Sequence, residues 1–236
     1  MKILLEGKAK KIFYSKDKEI LIQHFKDDAT AFNNKRKKKF VNKGIINNDI
    51  SANIFKFLNE NKINTNFIKK INDREQLIRK VNIIPLEVVI RNYTAGSLCS
   101  RTGVKQGKKI LPALIEFYFK SDKLGDPFLG EQHIEYLNLC NRKEIIEIKK
   151  LALEINTLLI KYFKDIKIIL VDFKIEFGKL KNKFILADEI SPDSCRLWDI
   201  SSKKSLDKDI FRKNNGNLLE AYKNVSERIK KKYNEI

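Results

Sequence analysis

The segment DFKIEFG, residues 172–178, alternates polar and apolar residues without interruption. In a β-strand, successive side chains point to opposite faces, so Asp172, Lys174 and Glu176 would share one face and the apolar residues the other. Three charged groups on one face of a strand with apolar neighbours are informative, because charged side chains are rarely buried without a partner. The sequence therefore predicts a charged surface on this strand.

A second strand-like segment, FILADEIS at residues 184–191, follows a turn predicted at residues 178–183, and the two segments predict a hairpin. If the pairing register is even, Glu176 and Asp188 share a face and lie within reach of one ion. Paired carboxylates opposite a lysine commonly hold a magnesium-bound triphosphate, because the metal bridges phosphate oxygens and the ammonium neutralises charge. The alternative is a solvated hairpin face with an ordinary salt bridge.

Two arginines lie next to turns that contain serine. In PLEVVIRNYTAGS, residues 85–97, a strand-like run leads from Arg91 to a loop whose glycine permits close backbone approach and whose Ser97 can donate to an anion. In SPDSCRLWD, residues 191–199, Arg196 follows a Pro-Asp turn. The chain has nine arginines against forty lysines, and only arginine offers a planar fork of donors. Together the motifs indicate one phosphorylated ligand, although TAGS alone would indicate only a turn.

The segment EGKAKKIFY, residues 6–14, places Gly7, Lys8 and Lys10 at the start of a predicted strand, where they could fold over phosphates. It has neither the Walker spacing nor the kinase glycine triad, and lysine is frequent throughout the chain. The two histidines have no neighbouring serine, cysteine or histidine pattern, which favours structural roles over a catalytic triad or a zinc site.

The elements that must position these residues divide into two predicted lobes. Residues 1–82 are predicted to form a small β-rich lobe, with strands at 10–14, 19–25, 65–71 and 76–81 and a helix at 49–58. Pro85, inside an apolar stretch, predicts an edge or bulged strand rather than a central one. Residues 83–236 are predicted to form a larger mixed α/β lobe. Its helices are expected from a capping box at Asn141 and Glu144 to about residue 163, and at 218–232.

Composition restricts the class of protein. With 236 residues and 42% hydrophobic content, the chain can form one compact unit of two lobes. Its three cysteines show no CxxC spacing, which argues against a zinc site or a disulfide scaffold and favours a reducing cytoplasm. The apolar run at residues 3–5 is too short for a signal or a membrane span, so a soluble protein is expected. The net charge of +19 comes from lysines spread along the whole chain, so no nucleic-acid partner is expected.

Taken in order, five segments resemble the signature of the phosphoribosylaminoimidazole-succinocarboxamide synthase (SAICAR synthetase) family: EGKAKKIF, DDATAF at residues 27–32, PLEVVIRNYTAGS, DFKIEFG and DEISPDSCRLWD. The resemblance implies a two-lobed α+β fold similar to kinase or ATP-grasp arrangements, with ATP in the cleft between the lobes. It implies a ligase of purine biosynthesis that joins L-aspartate to 5-amino-1-(5-phosphoribosyl)imidazole-4-carboxylate through an acyl phosphate. ATP and Mg²⁺ are the implied cofactors, and a homodimer is suggested.

The resemblance also implies roles for individual residues. It implies Glu176 and Asp188 as magnesium ligands; Lys8, Lys10, Lys120 and Lys174 as lysines facing the nucleotide's phosphates, with Gly7 beside them; Arg91, Ser97 and Arg196 around the ribonucleotide's phosphate; and Asp126 near the imidazole carboxylate. Of these, Lys174 and Asp126 are expected to act in catalysis. The motifs do not place the residues that bind aspartate.

Two other functions share some of these features. A small-molecule kinase would also need paired carboxylates and phosphate-facing lysines, but it would form ADP without aspartate. A basic nucleic-acid-binding module would show salt-sensitive binding to DNA or RNA and would be indifferent to Asp188→Asn.

Overall fold

The computed structural model describes residues 2–31 and 36–233, and within them the chain forms thirteen strands and six helices. The strands are β1 (Ile3–Glu6), β2 (Lys10–Tyr14), β3 (Ile20–Phe25), β4 (Asp28–Ala31), β5 (Arg36–Lys39), β6 (Phe67–Lys70), β7 (Glu75–Arg79), β8 (Asn82–Tyr93), β9 (Lys109–Phe119), β10 (Phe128–Leu129), β11 (Ile168–Leu180), β12 (Lys183–Ala187) and β13 (Cys195–Asp199). The helices are α1 (Lys43–Glu60), α2 (Ser97–Thr102), α3 (Glu131–Tyr136), α4 (Arg142–Asp165), α5 (Asp209–Lys213) and α6 (Leu218–Tyr233). The fold is mixed α+β with antiparallel sheets, as predicted.

The first sheet is antiparallel and has the strand order β1-β2-β3-β7-β6. The burial pattern of β3 explains why this sheet forms. Leu21 and Phe25 are buried on the side that faces α1, and the alternate residues are half-buried, so one face of the strand packs in the interior. The four strands predicted in this region are confirmed, with small shifts of their ends. Strands β4 and β5 form a separate ribbon that includes part of the DDATAF segment, whose last residue, Phe32, lies outside the described residues.

Helix α1 begins at Lys43 rather than at residue 49 as predicted. Its buried apolar side is lined by Ile46, Ile50, Ile54 and Leu58, at the spacing of one helical face. The first turn was missed because Lys43 and Asn47 are polar and yet buried, so the apolar period does not extend over them. Both side chains contact Asp193, in the loop after β12. A tertiary ion pair, absent from the local pattern, therefore sets the start of this helix.

The second sheet has the order β10-β9-β8-β11-β12, and β13 pairs with the first half of β11. Strand β8 lies between β9 and β11, so of the two alternatives predicted from Pro85 the edge position is wrong and the bulged strand is confirmed. The pairing of β8 with β11 is irregular between Ile83 and Glu87, which places Pro85 within a bulge. A bulge removes the need for an N–H at that position, which is how a central strand accommodates proline. The Pro85 carbonyl instead accepts from the backbone N–H of Lys120 at 3.0 Å.

Helix α4 covers one face of the second sheet, and its predicted capping box is confirmed. Asn141 Oδ1 accepts from the backbone N–H of Glu144 at 3.0 Å, and the backbone N–H of Asn141 donates to Glu144 Oε2 at 2.9 Å. These two bonds satisfy donors that a helix start leaves free. The apolar side of the helix then packs on β8 and β11, through Ile145, Ile148, Ala152, Ile155 and Leu159.

Helix α1 packs against α6 at the other end of the chain. The hydrophobic cluster that contains these helices and the buried side of the second sheet also includes Phe67 of the first sheet, so the core extends to both sheets. The division into lobes at residues 82 and 83 therefore stays a prediction. None of the helices in residues 2–31 and 36–233 is long and apolar enough to span a membrane.

A buried polar cluster around Asp193 links these distant segments. Its carboxylate forms an ion pair with Lys43, whose side chain is fully buried, and accepts from Asn47 Nδ2 at 2.9 Å. The Tyr222 hydroxyl, on α6, donates to it at 2.7 Å. Burial by itself raises the pKa of the Asp193 carboxyl, but the positive charges of Lys43 and Lys208 outweigh burial and hold the pKa well below its ordinary value.

We expect Asp193→Asn to lower the free energy of unfolding by about 3–5 kcal/mol, the usual loss when a buried charge keeps no partner. Because the folded-state pKa of Asp193 lies below its unfolded value, the pair stabilises above about pH 4 and its contribution is lost as pH falls further. Urea unfolding at pH 7 and pH 3 measures both effects. Glu60→Gln, an exposed change at the end of α1, is the control. If the difference in the free energy of unfolding between wild type and Asp193→Asn is the same at both pH values, the Asp193 ion pair does not stabilise the fold as proposed.

Candidate active site

The polar face of β11 forms as the alternation predicts. Phe173, Ile175 and Phe177 are buried in the core, at 1%, 0% and 1% exposure. Asp172, Lys174 and Glu176 point to the other face. Their partners there come from four other segments: β8, β13, the residue after β9 and the residue after β12. The energy of burying the apolar side thus fixes the orientation of the charged side, because a shift by one residue would exchange the two faces.

The hairpin after this face forms with a different turn and register from those predicted. Only Lys181 and Asn182 form the turn, both with positive φ (48° and 62°), as a two-residue hairpin loop requires. The strands pair Glu176 with Ala187, so the even register is wrong, and in a continuing strand residue 188 would face the core. Strand β12 ends at Ala187, however, and Asp188 takes a left-handed conformation with φ 68°.

This local change of direction brings the two predicted metal-binding carboxylates to one ammonium group. Lys174 Nζ lies 2.9 Å from Glu176 Oε1 and 3.7 Å from Asp188 Oδ2. It also donates to Glu87 Oε1 at 2.8 Å. The sequence predicted that Glu176 and Asp188 converge if the strands pair in an even register. The structure brings them together instead through the left-handed conformation of Asp188.

Two further lysines complete the cluster from different sheets. Lys10, on β2 of the first sheet, forms an ion pair with Asp188 and lies 3.0 Å from Glu189 Oε1. Lys120, directly after β9 of the second sheet, forms an ion pair with Glu176 Oε2. The carboxylates and lysines therefore meet where the two sheets meet.

The pKa values of this cluster are set by burial and by opposite charges. Burial opposes the charging of Lys10 and Lys174, but the neighbouring carboxylates outweigh it and raise both pKa values above the ordinary lysine value. Burial likewise opposes the charging of Asp188, and Lys10 and Lys174 outweigh it and lower its pKa. These three groups are therefore ionised at neutral pH, and Lys174 is a fixed cation rather than a proton acceptor.

Lys8 and Gly7 lie in the turn between β1 and β2. Lys8 Nζ is 2.6 Å from Asp122 Oδ1 and 4.0 Å from Asp126 Oδ2, in the segment after β9. The backbone N–H of Gly7 donates to the Lys10 carbonyl at 2.9 Å. A Cβ at Gly7 would meet that carbonyl only at 3.8 Å, so the turn itself does not require glycine.

A cavity of about 370 Å³ lies beside the cluster and contains most of the remaining predicted residues. Its lining includes Arg91, Ser97, Asp126, Asp172, Lys174, Arg196 and Arg212. Asp172 Oδ2 accepts from Arg91 Nη1 at 2.9 Å and from Arg196 Nη1 at 2.8 Å. Arg91 Nη2 also donates to Ser97 Oγ at 3.0 Å. The two arginine motifs, more than a hundred residues apart in the chain, therefore meet at one carboxylate.

The glycine of the TAGS loop has a definite steric role. Gly96 has φ 54°, a left-handed conformation that favours glycine. A Cβ there would lie 2.2 Å from a guanidinium nitrogen of Arg196. The sequence indicated close backbone approach at this loop, and the group that approaches it is the arginine of the second motif.

Several residues of the site were not identified from the sequence. They are Glu87, Glu116, Tyr118, Glu189, Asp209 and Arg212. The alternation of polar and apolar residues was a usable signal for three of them. Glu87 shares a face of β8 with the identified Arg91, and Glu116 and Tyr118 alternate with Ile115 and Phe117 on β9. The same period-two argument that worked for β11 would have found them.

We expect Asp172→Asn to destabilise the protein by roughly 3 kcal/mol, because two buried guanidinium groups lose their shared counterion. Inorganic phosphate should then raise the melting temperature of the variant more than that of wild type, since a bound anion replaces the missing charge. Thermal unfolding in phosphate and in chloride of equal ionic strength measures this. An equal phosphate effect on both proteins would show that this cavity does not bind the anion.

The chain is similar in sequence and in fold to known proteins. The sequence profile of the SAICAR synthetase family matches residues 3–229. The phosphoribosylaminoimidazole-succinocarboxamide synthase of Exiguobacterium sp. is 49% identical over 229 residues, which cover 97% of this chain and 98% of that protein. The same enzyme of Wolbachia pipientis wMel is 51% identical over 231 residues, covering 97% and 96%. The crystal structure of the Ehrlichia chaffeensis enzyme has a TM-score of 0.94 at 48% identity, covering 97% and 98% of the two chains. A SAICAR synthetase in complex with ADP has a TM-score of 0.93 at 45% identity, covering 97% of each. The chain belongs to the SAICAR synthetase family.

Proposed function

We propose that this site performs the family's reaction with the residues assembled on β11 and around it. The enzyme is an ATP-dependent ligase that joins L-aspartate to the carboxylate of 5-amino-1-(5-phosphoribosyl)imidazole-4-carboxylate in purine biosynthesis. The products are SAICAR, ADP and phosphate. The observation that carries the assignment of the site is the convergence of Glu176 and Asp188 on Lys174, beside a cavity that contains two arginines.

Lys8, Lys10 and Lys120 are proposed to hold the phosphates of ATP. Lys10 and Lys120 approach the carboxylate cluster from opposite sheets, and Lys8 lies in the turn before β2. Ion pairs with carboxylates hold Lys10 and Lys120 at the cluster, and Lys8 is held by Asp122 and Asp126. A triphosphate bound there would be neutralised from both sides, which is the main requirement of phosphoryl transfer. Gly7 belongs to the same turn and is proposed to lie against the nucleotide.

Glu176 and Asp188 are proposed to hold Mg²⁺. Among residues 2–31 and 36–233, no group of three or more acidic, histidine or cysteine side chains forms a complete metal site. Two carboxylates are nevertheless sufficient for Mg²⁺, which typically binds through one or two carboxylates together with substrate phosphates and water. Glu176 fits this role because its two oxygens contact only ammonium groups, those of Lys120 and Lys174. When bound, the ion supplies positive charge to the phosphate oxygens.

The cavity is proposed to bind the ribonucleotide, with its phosphate near Arg196, Ser97 and Arg91. Arg91 is 2% exposed and already donates to Glu116, Asp172 and Ser97, so it orders the pocket as much as it presents donors. Asp126 has φ 52° and accepts from the backbone N–H of Ser121 at 2.9 Å, which holds its carboxylate at the cavity. It is proposed to lie near the imidazole group.

The chemistry follows from the poor reactivity of a carboxylate toward an amine. Transfer of the γ-phosphoryl group of ATP to a carboxylate oxygen gives an acyl phosphate and ADP. The amine of aspartate then attacks the acyl carbon, the C–O bond to phosphate breaks, and phosphate leaves as the amine nitrogen loses a proton. Lys174, held as a cation between the nucleotide and ribonucleotide sites, neutralises charge during the first step. Catalysis is then mainly positioning and charge neutralisation.

The proposed reaction takes place in the cytoplasm with small-molecule substrates only, and a homodimer stays a prediction. ADP release measured with each substrate omitted in turn tests the function. We expect release only when ATP, aspartate and the imidazole carboxylate are all present. ADP formed without aspartate would instead identify a kinase. Salt-sensitive binding of DNA or RNA without turnover would identify a nucleic-acid-binding module.

We expect Glu176→Gln and Asp188→Asn each to lower kcat by at least about a hundredfold, because the metal ion loses a charged ligand. Circular dichroism should show both variants folded. Increasing the Mg²⁺ concentration should restore part of the activity of Asp188→Asn, since that residue is more exposed than Glu176. Lys179 pairs with Glu144 away from the cluster, so Glu144→Gln is the control. Near-normal turnover in either site variant would contradict the metal assignment.

A further inference from the structure

A second arginine stands behind Arg91, and one carboxylate joins the two. Glu116, on β9, is 5% exposed and accepts from Arg91 Nε at 2.7 Å through Oε2. Its Oε1 forms an ion pair with Arg101 Nη2. Because each oxygen binds a different guanidinium group, the carboxylate bridges them.

Tyr118 closes this bridge on the same face of β9. Its hydroxyl donates to Glu116 Oε2 at 2.9 Å and accepts from Arg101 Nη1 at 2.6 Å. The Arg101 guanidinium also lies 5.6 Å from the Tyr118 ring centroid and 5.2 Å from that of Phe128. Contacts of this kind restrict the guanidinium to one orientation. The second arginine is thus a fixed anchor rather than a free surface cation.

The bridge connects two elements that both contribute to the cavity. Arg91 belongs to β8, whereas Arg101 lies in the last turn of α2, the short helix that begins with Ser97. Ser97 Oγ accepts from Arg91 Nη2 at 3.0 Å. Glu116 therefore restrains Arg91 directly, and it restrains Ser97 through Arg101, because Ser97 and Arg101 belong to the same helix.

We propose that Glu116 is a positioning residue for the ribonucleotide: its bridge between Arg91 and Arg101 fixes Arg91 and Ser97 in the geometry that binds the phosphate. This inference rests on the proposed function of the cavity. Glu116 is absent from the residues that line the cavity, so it acts through its partners and not on the substrate. A glutamine in its place keeps the shape but cannot neutralise two guanidinium groups.

The test is a comparison of KM values for the three substrates in Glu116→Gln. We expect the KM for the ribonucleotide to rise by roughly tenfold to a hundredfold, the scale of loss when a positioning group moves. The KM values for ATP and aspartate should stay close to those of wild type. Calorimetric titration with the ribonucleotide alone should show the same loss of affinity without turnover. The matched control is Glu131→Gln, whose carboxylate forms an exposed ion pair with Lys149 at 2.7 Å.

Arg101→Gln tests the bridge from its other end. The Arg101 side chain is 35% exposed, so this variant folds even if Glu116→Gln does not, and Arg91 keeps its contact with Glu116. We expect a smaller rise in the same KM. The double variant should bind no worse than Glu116→Gln alone, because both changes remove one bridge. Arg101→Lys should restore only part of the affinity, since lysine lacks the fork that reaches Glu116 and Tyr118 together.

The outcomes separate this inference from the proposed function. If wild type releases ADP only with all three substrates and folded Glu116→Gln and Arg101→Gln match it, the positioning role is wrong and the function stands. If all three KM values rise together, Glu116 has a general structural role and the inference fails. If wild type shows no turnover that depends on the three substrates, the proposed function itself fails.

Discussion

The site depends on the ammonium group of Lys174, which lies among three carboxylates from three segments. Glu87 on β8, Glu176 on β11 and Asp188 after β12 are all within 3.7 Å of its Nζ. Without a cation between them, these carboxylates would repel one another in a partly buried environment. Burial opposes the charge on Lys174, but the carboxylates outweigh it and raise its pKa. The ammonium group of Lys174 therefore offsets the mutual repulsion of three carboxylates at the junction of three segments.

Successive charged residues on the polar face of β11 differ in sign, and each is surrounded by groups of the opposite charge. Asp172 is an anion between two guanidinium groups, and Lys174, the next residue on that face, is a cation among carboxylates. Alternate residues of a strand lie about 7 Å apart. The site therefore has one end, at Asp172, with guanidinium groups that favour anions, and an adjacent end, at Lys174, with carboxylates that favour cations. In the function proposed above, the phosphorylated substrate binds at the first end and the triphosphate at the second. The reacting carboxylate of the substrate would then lie between them, beside Lys174.

The sequence predicted those parts of the structure that follow from local periodicity. The polar face of β11, the capping box of α4 and most strands of the first sheet were predicted correctly, because the period of the pattern is the period of the element. The errors occur where tertiary contacts decide. Helix α1 starts early because Lys43 pairs with Asp193. Pro85 predicted an edge or a bulged strand, and only the pairing of β8 on both sides decides for the bulge. The convergence of Glu176 with Asp188 results from one left-handed residue at a strand end, which an argument from register alone does not reveal.

The distribution of arginine explains why the cavity was recognisable in so basic a chain. Lysine outnumbers arginine forty to nine, yet four arginines, Arg91, Arg101, Arg196 and Arg212, lie at or beside this one cavity. The first three each bind at least two partners with separate nitrogens. A lysine presents its three donors from one rotatable nitrogen, so it lacks the separate, fixed donor directions of a guanidinium group. Around the carboxylate cluster, where lysines suffice, the contacts converge on single ammonium groups. Arginine thus occurs where hydrogen bonds must point in fixed directions, and lysine occurs where only a positive charge is needed.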